Sequence, residues 1–312
     1  MKKFTKGALI TVLVFAILGF TLCAVGVGIG FHYTSIPKMI SDGVFSIGGD
    51  NWSDAWKWND WDDDWEAWGT QHTVFYDFSQ EECVDIQNLK LLVECGIVEI
   101  EEAGKNEGIH VEVKYRKENS KRDIGVNMDG NTLKIEENGS EKLWNNDNVR
   151  VLIQIPADMK FKEVALENSA GQITVNHALR AENISIIVGA GESVINKELQ
   201  LSGTLYAEVD AGEIDFAKVN AGKIALHAGV GEIDVEKAGA EEVILECGVG
   251  ELNITLEGSE ADYSYQIDCG IGEVEIADTS YSGLGTTREV KNGDKTVDIA
   301  CGVGEINVDF TK

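Results

Sequence analysis

Proline is nearly missing from this chain, two in 312 residues, which excludes proline-rich recognition segments and stiff interdomain spacers. Positive charge is scarce as well: 26 lysines and arginines stand against 54 aspartates and glutamates, a net charge of -28. Nucleic acid and anionic lipid both require a basic surface, so neither is an expected partner, whereas cationic and neutral partners stay open. The six cysteines contain no C-x-x-C pair and the five histidines are scattered, which leaves no ligand spacing for a metal. A recurring Gly-x-Gly lacks the third glycine and the following helix of a dinucleotide fingerprint. Leu252, Val274 and Ile306 stand where a nonapeptide calcium roll needs aspartate. We therefore expect no cofactor, no metal and no enzyme. His177 and His227 are isolated, and no long loops are available to gather carboxylates into a cleft.

What is present begins with Lys2, Lys3 and Lys6, followed by an uncharged apolar run from Gly7 to Phe31. Its length exceeds both the ~20 residues that cross a bilayer and the core of a signal peptide. The sequence predicts residues 1–6 as a cytoplasmic tail, 7–31 as a single-pass transmembrane helix in the cell membrane, and residues 32–312 outside the cytoplasm. Residues 32–71 form an acidic juxtamembrane segment rich in tryptophan. Six of the seven tryptophans fall in "NWSDAWKWNDWDDDWEAW", residues 51–68. On a helical wheel Trp58, Trp61, Trp65 and Trp68 share one stripe. That stripe could cap the repeats behind it, bind a cationic peptide by cation–π contact, or lie on the bilayer.

The strongest signal is self-similarity. "LHAGVGEIDV" (226–235), "LECGVGELNI" (245–254), "IDCGIGEVEI" (267–276) and "IACGVGEINV" (299–308) are one motif, with looser copies at 166–175, 186–195 and 207–216 and a relative, "LVECGIVEIE", at 92–101. The residue after the second glycine runs Gln172, Glu192, Glu213, Glu232, Glu251 and Glu273 at spacings of 20, 21, 19, 19 and 22, and then Glu305 after 32. A period near 20 with strand alternation inside it predicts an all-β fold, a parallel β-solenoid or β-helix over 161–312 whose coils each hold two short strands around a glycine-rich corner. Residues 72–160 read as a β-rich lead-in, with Pro156 at the passage into the repeats.

Within a repeat, Val243, Leu245, Cys247, Leu252 and Ile254 alternate onto one face, and Glu246, Glu251 and Asn253 onto the other. Aligned on this motif, Cys95, Cys247, Cys269 and Cys301 share a position that elsewhere holds Ala228, Val209, Val188 and Asn168. That marks a small inward core ladder of thiols, with a Cys247–Cys269 disulfide as a geometric alternative. The glutamates stack outward, as a solubilising edge or as a polar grid for a cation or sugar.

At these residues the chain resembles the bacterial putative-adhesin family of β-strand-repeat proteins, a domain of unknown function, in which an I-x-V/I-P segment precedes repeated small-Gly-x-Gly-acid-apolar strands. The resemblance covers about residues 75–312. It implies a cell-envelope protein and carries over no catalytic residue. The function expected is a membrane-anchored extracellular module for envelope binding, adhesion or scaffolding, with an envelope protein, wall polymer or cationic peptide as partner. The alternative is an envelope-stress sensor or regulator working through a membrane partner.

Overall fold

The structure, a computed structural model, describes residues 72–105, 107–115, 122–138 and 149–311. The chain order is β1 (His72–Phe78), α1 (Gln80–Cys83), β2 (Asn88–Glu102), β3 (Ile109–Tyr115), β4 (Ile124–Asp129), β5 (Thr132–Glu137), β6 (Val149–Ile155), β7 (Phe161–Val175), β8 (Leu179–Leu201), β9 (Thr204–Asn220), β10 (Lys223–Gly239), β11 (Glu242–Glu257), a 3-10 turn (Glu260–Asp262), β12 (Tyr263–Ile276), β13 (Thr279–Val290) and β14 (Lys295–Thr311). These strands make one 14-stranded sheet in the order β1-β3-β6-β2-β7-β8-β9-β10-β11-β14-β12-β13, with the β4–β5 hairpin attached through β5 to β2.

Two sequence expectations are corrected. The repeats are not coils of two short strands around a corner in a β-solenoid. Each is one unbroken strand of 14 to 23 residues, and the strands form a single mixed sheet, antiparallel at β1–β3–β6 and β12–β13 and parallel between. Nor does the sheet follow chain order throughout, since β14 lies between β11 and β12. The transmembrane helix expected before the repeats is not upheld either. Among the described residues no helix is long and apolar enough to cross a membrane, and residues 7–31 lie outside them.

The glycines explain why the strands run on through the bend. Leu245 and Cys247 are buried before it and Leu252 and Ile254 after it, so the inward positions are separated by five residues where plain alternation demands an even number. A local reversal of the pleat must fall between them, and Gly250 supplies it with φ 144°, a conformation residues with a Cβ rarely adopt. Its backbone also packs on the strand beside it: a Cβ there would lie 1.9 Å from the carbonyl oxygen of Gly231. The halves on either side of the bend therefore send their apolar rows into one continuous core, which runs from Leu89 and Leu91 through Ile186, Leu226 and Leu245 to Ile299 and Val308.

Candidate functional site

The register lines up the outward residues of the bend. Gln172, Glu192, Glu213, Glu232, Glu251, Glu305 and Glu273 stand side by side on consecutive strands. Strand spacing makes the six glutamates a column ~24 Å long. Two residues further on, Asp215, Asp234, Asn253, Asn307 and Glu275 form a second row. Two contacts stitch that row together, Asn307 Nδ2 donating to Asn253 Oδ1 at 2.9 Å and Asn253 Nδ2 to Asp234 Oδ1 at 2.7 Å.

Some carboxylates elsewhere on these strands have cationic partners: Lys223–Glu242 at 2.6 Å, Lys218–Glu198 at 2.9 Å and Lys237–Glu257 at 3.2 Å. Among the described residues, no Lys, Arg or His pairs with a glutamate of the column or with Asp215 or Asp234. The crowding leaves a mark. Burial first, and then the charges of Glu213 and Asp234, push the Asp215 carboxyl up to about 6. Glu232 is raised by burial and then by Asp234 and Glu251.

A feature missed in the sequence stands beside the glutamates. The residue before the glycine at the bend is apolar in every aligned copy, and Ala190, Ala211, Val230, Val249 and Val303 form a column in register. Ile271 continues it, bracketed by the pairs Cys269–Cys301 and Glu273–Glu305. Val230 and Ile271 are each 54 % exposed. An apolar row thus runs along the crest of the bend with a carboxylate row next to it. The signal was present in the sequence as the recurring apolar x of Gly-x-Gly, masked by the assumption that apolar residues face inward.

The thiols lie on the opposite, inner side. Cys247, Cys301 and Cys269 are neighbours on β11, β14 and β12, between 2 and 4 % exposed and not joined by disulfides. Burial, and then the neighbouring Cys269 and Cys247 thiols, push Cys301 up to about 12; burial takes Cys247 to about 11. These groups stay protonated at neutral pH and pack as small apolar side chains. Because Cys301 intervenes, Cys247 and Cys269 are two strand spacings apart, ~9.6 Å, beyond the Cα separation a disulfide spans.

Cys95 does not share their position. Its register partner is Ala170, and Val93 opposes Asn168 in the column that leads to the thiols. The 92–101 copy has a single glycine, like those at 166–175 and 207–216. Gly96 takes the place of the motif's second glycine, against Gly171, whose Cβ would lie 2.0 Å from the Gly96 oxygen. A polar cluster elsewhere on the sheet is Tyr206, whose hydroxyl donates to Glu208 Oε2 at 2.5 Å, with its ring 5.0 Å from that of His227, and His227 Nδ1 2.9 Å from Glu246 Oε2. Burial, and then the bond to Glu208, raise the Tyr206 phenol well above its ordinary range, so its proton stays in place. Trp58, Trp61, Trp65 and Trp68 lie outside the described residues. Among the described residues no group of three or more His, Cys, Asp or Glu side chains is arranged to hold a metal ion.

Solved structures similar to this chain include a putative cell adhesion protein from Clostridium sporogenes, at 14 % identity with a TM-score of 0.33, covering 78 % of this chain and 100 % of the other. A putative adhesin from Bacteroides fragilis matches at 13 % identity and 0.33, covering 77 % and 97 %, and one from Parabacteroides distasonis at 14 % and 0.44, covering 76 % and 97 %. Likeness at that level carries no functional argument. No curated protein matches the chain. The family model that does match spans residues 96–286 and is described as a putative auto-transporter adhesin, head GIN domain. With the repeat strands β7 to β12 inside that span, the chain belongs to the family of putative auto-transporter adhesin head GIN domains.

Proposed function

We propose that the chain is a binding, adhesion or scaffold module of the cell envelope, held at the cell membrane with its repeats outside the cytoplasm. The observation that carries this reading is the crest of the bend. It is a double row of small apolar residues and of glutamates that have no cationic partner among the described residues, fixed by strands hydrogen-bonded on both sides and by glycines that tolerate no Cβ. A surface repeated at a constant step and held rigid binds with little ordering cost, the condition under which weak contacts accumulate into useful affinity. Family membership supports binding over catalysis and exposure at the surface.

The test is photo-crosslinking from the crest in intact cells. A photoreactive residue placed at Val230 should capture a wall polymer or an envelope protein, and protease added outside should degrade the repeats. Capture of a histidine kinase or transporter would move the reading to regulation. Protection from external protease, or no captured species from any crest position, would overturn it.

A further inference from the structure

We infer that the crest docks a basic amphipathic helix, laid across the strands with its apolar edge on Val230, Val249, Val303 and Ile271 and its lysines or arginines on the adjacent glutamates. This rests on the binding-module reading and names the chemistry of the partner. Three observations select that occupant. The apolar row is continuous and open to solvent at Val230 and Ile271. The flanking row, Glu213, Glu232, Glu251, Glu305 and Glu273, has no cation paired to it among the described residues, whereas Glu198, Glu242 and Glu257 on the same strands do. A second copy of this chain would bring the same charge to the same place, and an anionic lipid surface would be repelled.

The third observation is the step of the grid. Neighbouring strands are ~4.8 Å apart, and a helix returns to the same face every 5.4 Å of its axis. The mismatch of ~0.6 Å per turn is within the reach of flexible Lys and Arg side chains over four or five turns. An extended peptide lying along the crest would repeat its same-side residues every ~6.8 Å and lose register after two contacts. A helix of about 18 residues, ~27 Å long, covers the whole row.

The probe is a synthetic peptide of about 18 residues, built from leucine and lysine so that one helical edge is apolar and the next is basic. It is titrated into the full chain in non-ionic detergent, with oligolysine of equal charge as comparison. We expect saturable binding that Glu232→Gln with Glu251→Gln weakens by about tenfold at low salt, in line with the loss of two charge pairs. Val230→Ser with Ile271→Ser should weaken it by about threefold. The charge-matched control Glu163→Gln with Glu182→Gln, at exposed residues away from the crest, should leave it unchanged. Equal weakening by the control pair, or equal affinity for oligolysine, would show attraction by net charge alone and overturn the proposal. Absence of binding would overturn it too, and if crosslinking from the crest still captures an envelope component, the binding-module reading survives without the helix.

Discussion

The lead-in strands and the repeat strands share one sheet and treat charge in opposite ways. In the lead-in, Arg122 grips Glu137 through two contacts of 2.6 Å, Nε to Oε1 and Nη2 to Oε2. Lys90 meets Glu136 and Lys134 meets Asp129, both at 2.6 Å, and Arg150 pairs with Glu99. Arg150 even opens the glutamate column, since its register partner Ile97 is followed by Gln172 and then Glu192. From Glu192 onward no cation pairs with the column among the described residues. Compensated charge thus recurs in the lead-in, where neighbouring strands differ in sequence, and uncompensated charge is concentrated at the bend of the repeats, where one strand is copied beside itself. Copying a strand in parallel register copies its charge onto its own neighbour. The repeats tolerate that cost at the bend, where solvent screens it, and nowhere inside.

The comparison can be broken at its strongest point. Gly231 has φ 149°, and a Cβ there would lie 1.9 Å from the Gly212 oxygen. Gly231→Ala should therefore destabilise the sheet by roughly 4 kcal/mol or more, read as a fall in the urea midpoint by circular dichroism. In the lead-in the vulnerable element is an ion pair. Arg122 and Glu137 have side chains only 9 % and 6 % exposed, and Arg122→Met, which strands the carboxylate, should cost about 3 kcal/mol. The lead-in also supplies a glycine control. Gly130, in the turn between β4 and β5, has φ 62° and nothing within 4 Å of a would-be Cβ, so Gly130→Ala should cost only about 1 kcal/mol. A Gly231→Ala loss no larger than that would refute the close-packing account of the bend.

The smallest effect sharpens the charge contrast. Asp215 is raised to about 6 in the folded chain, above the ~3.9 of an unfolded aspartate. The folded state thus disfavours its charged form, a penalty present in full above pH 6 and gone below pH 4. Stability should rise as pH falls across that window, by on the order of 1 kcal/mol once partial exposure is allowed for. Asp215→Asn should stabilise the chain at neutral pH and flatten that rise. Thermal melts of the two proteins from pH 7 to 4 decide it, and an unchanged profile would mean that solvent already screens the column.

Much of this was legible because glycine and glutamate act as rulers. The Glu192 to Glu273 column could be written down from spacings of 19 to 22, and the buried row from alternation about the bend. The strand path resisted for identifiable reasons. The 32-residue step to Glu305 contains β13, and spacing alone cannot say that β14 then enters beside β11. Cys95 misled because its Cys-Gly was matched to the first glycine of the motif, whereas Gly96 pairs with Gly171 at the second, which moves Cys95 two residues on, beside Ala170 in the crest column. The crest valines were overlooked because an apolar residue in alternating sequence is assumed to be buried, and the reversal at Gly250 is what turns Val249 outward.

The position of β14 has a consequence for synthesis. Strands β11 and β12 leave the ribosome before β14 exists, and they match each other residue for residue: Cys247 with Cys269, Glu251 with Glu273, Leu252 with Val274. Nothing in their sequences forbids them from pairing directly, although the finished sheet keeps them apart. A nascent chain can settle into that premature partnership, one strand short and almost as satisfied as the final one. For a chain that takes that route, β14 can reach its place between β11 and β12 only by an exchange of partners, a slower step than addition of a strand to an edge.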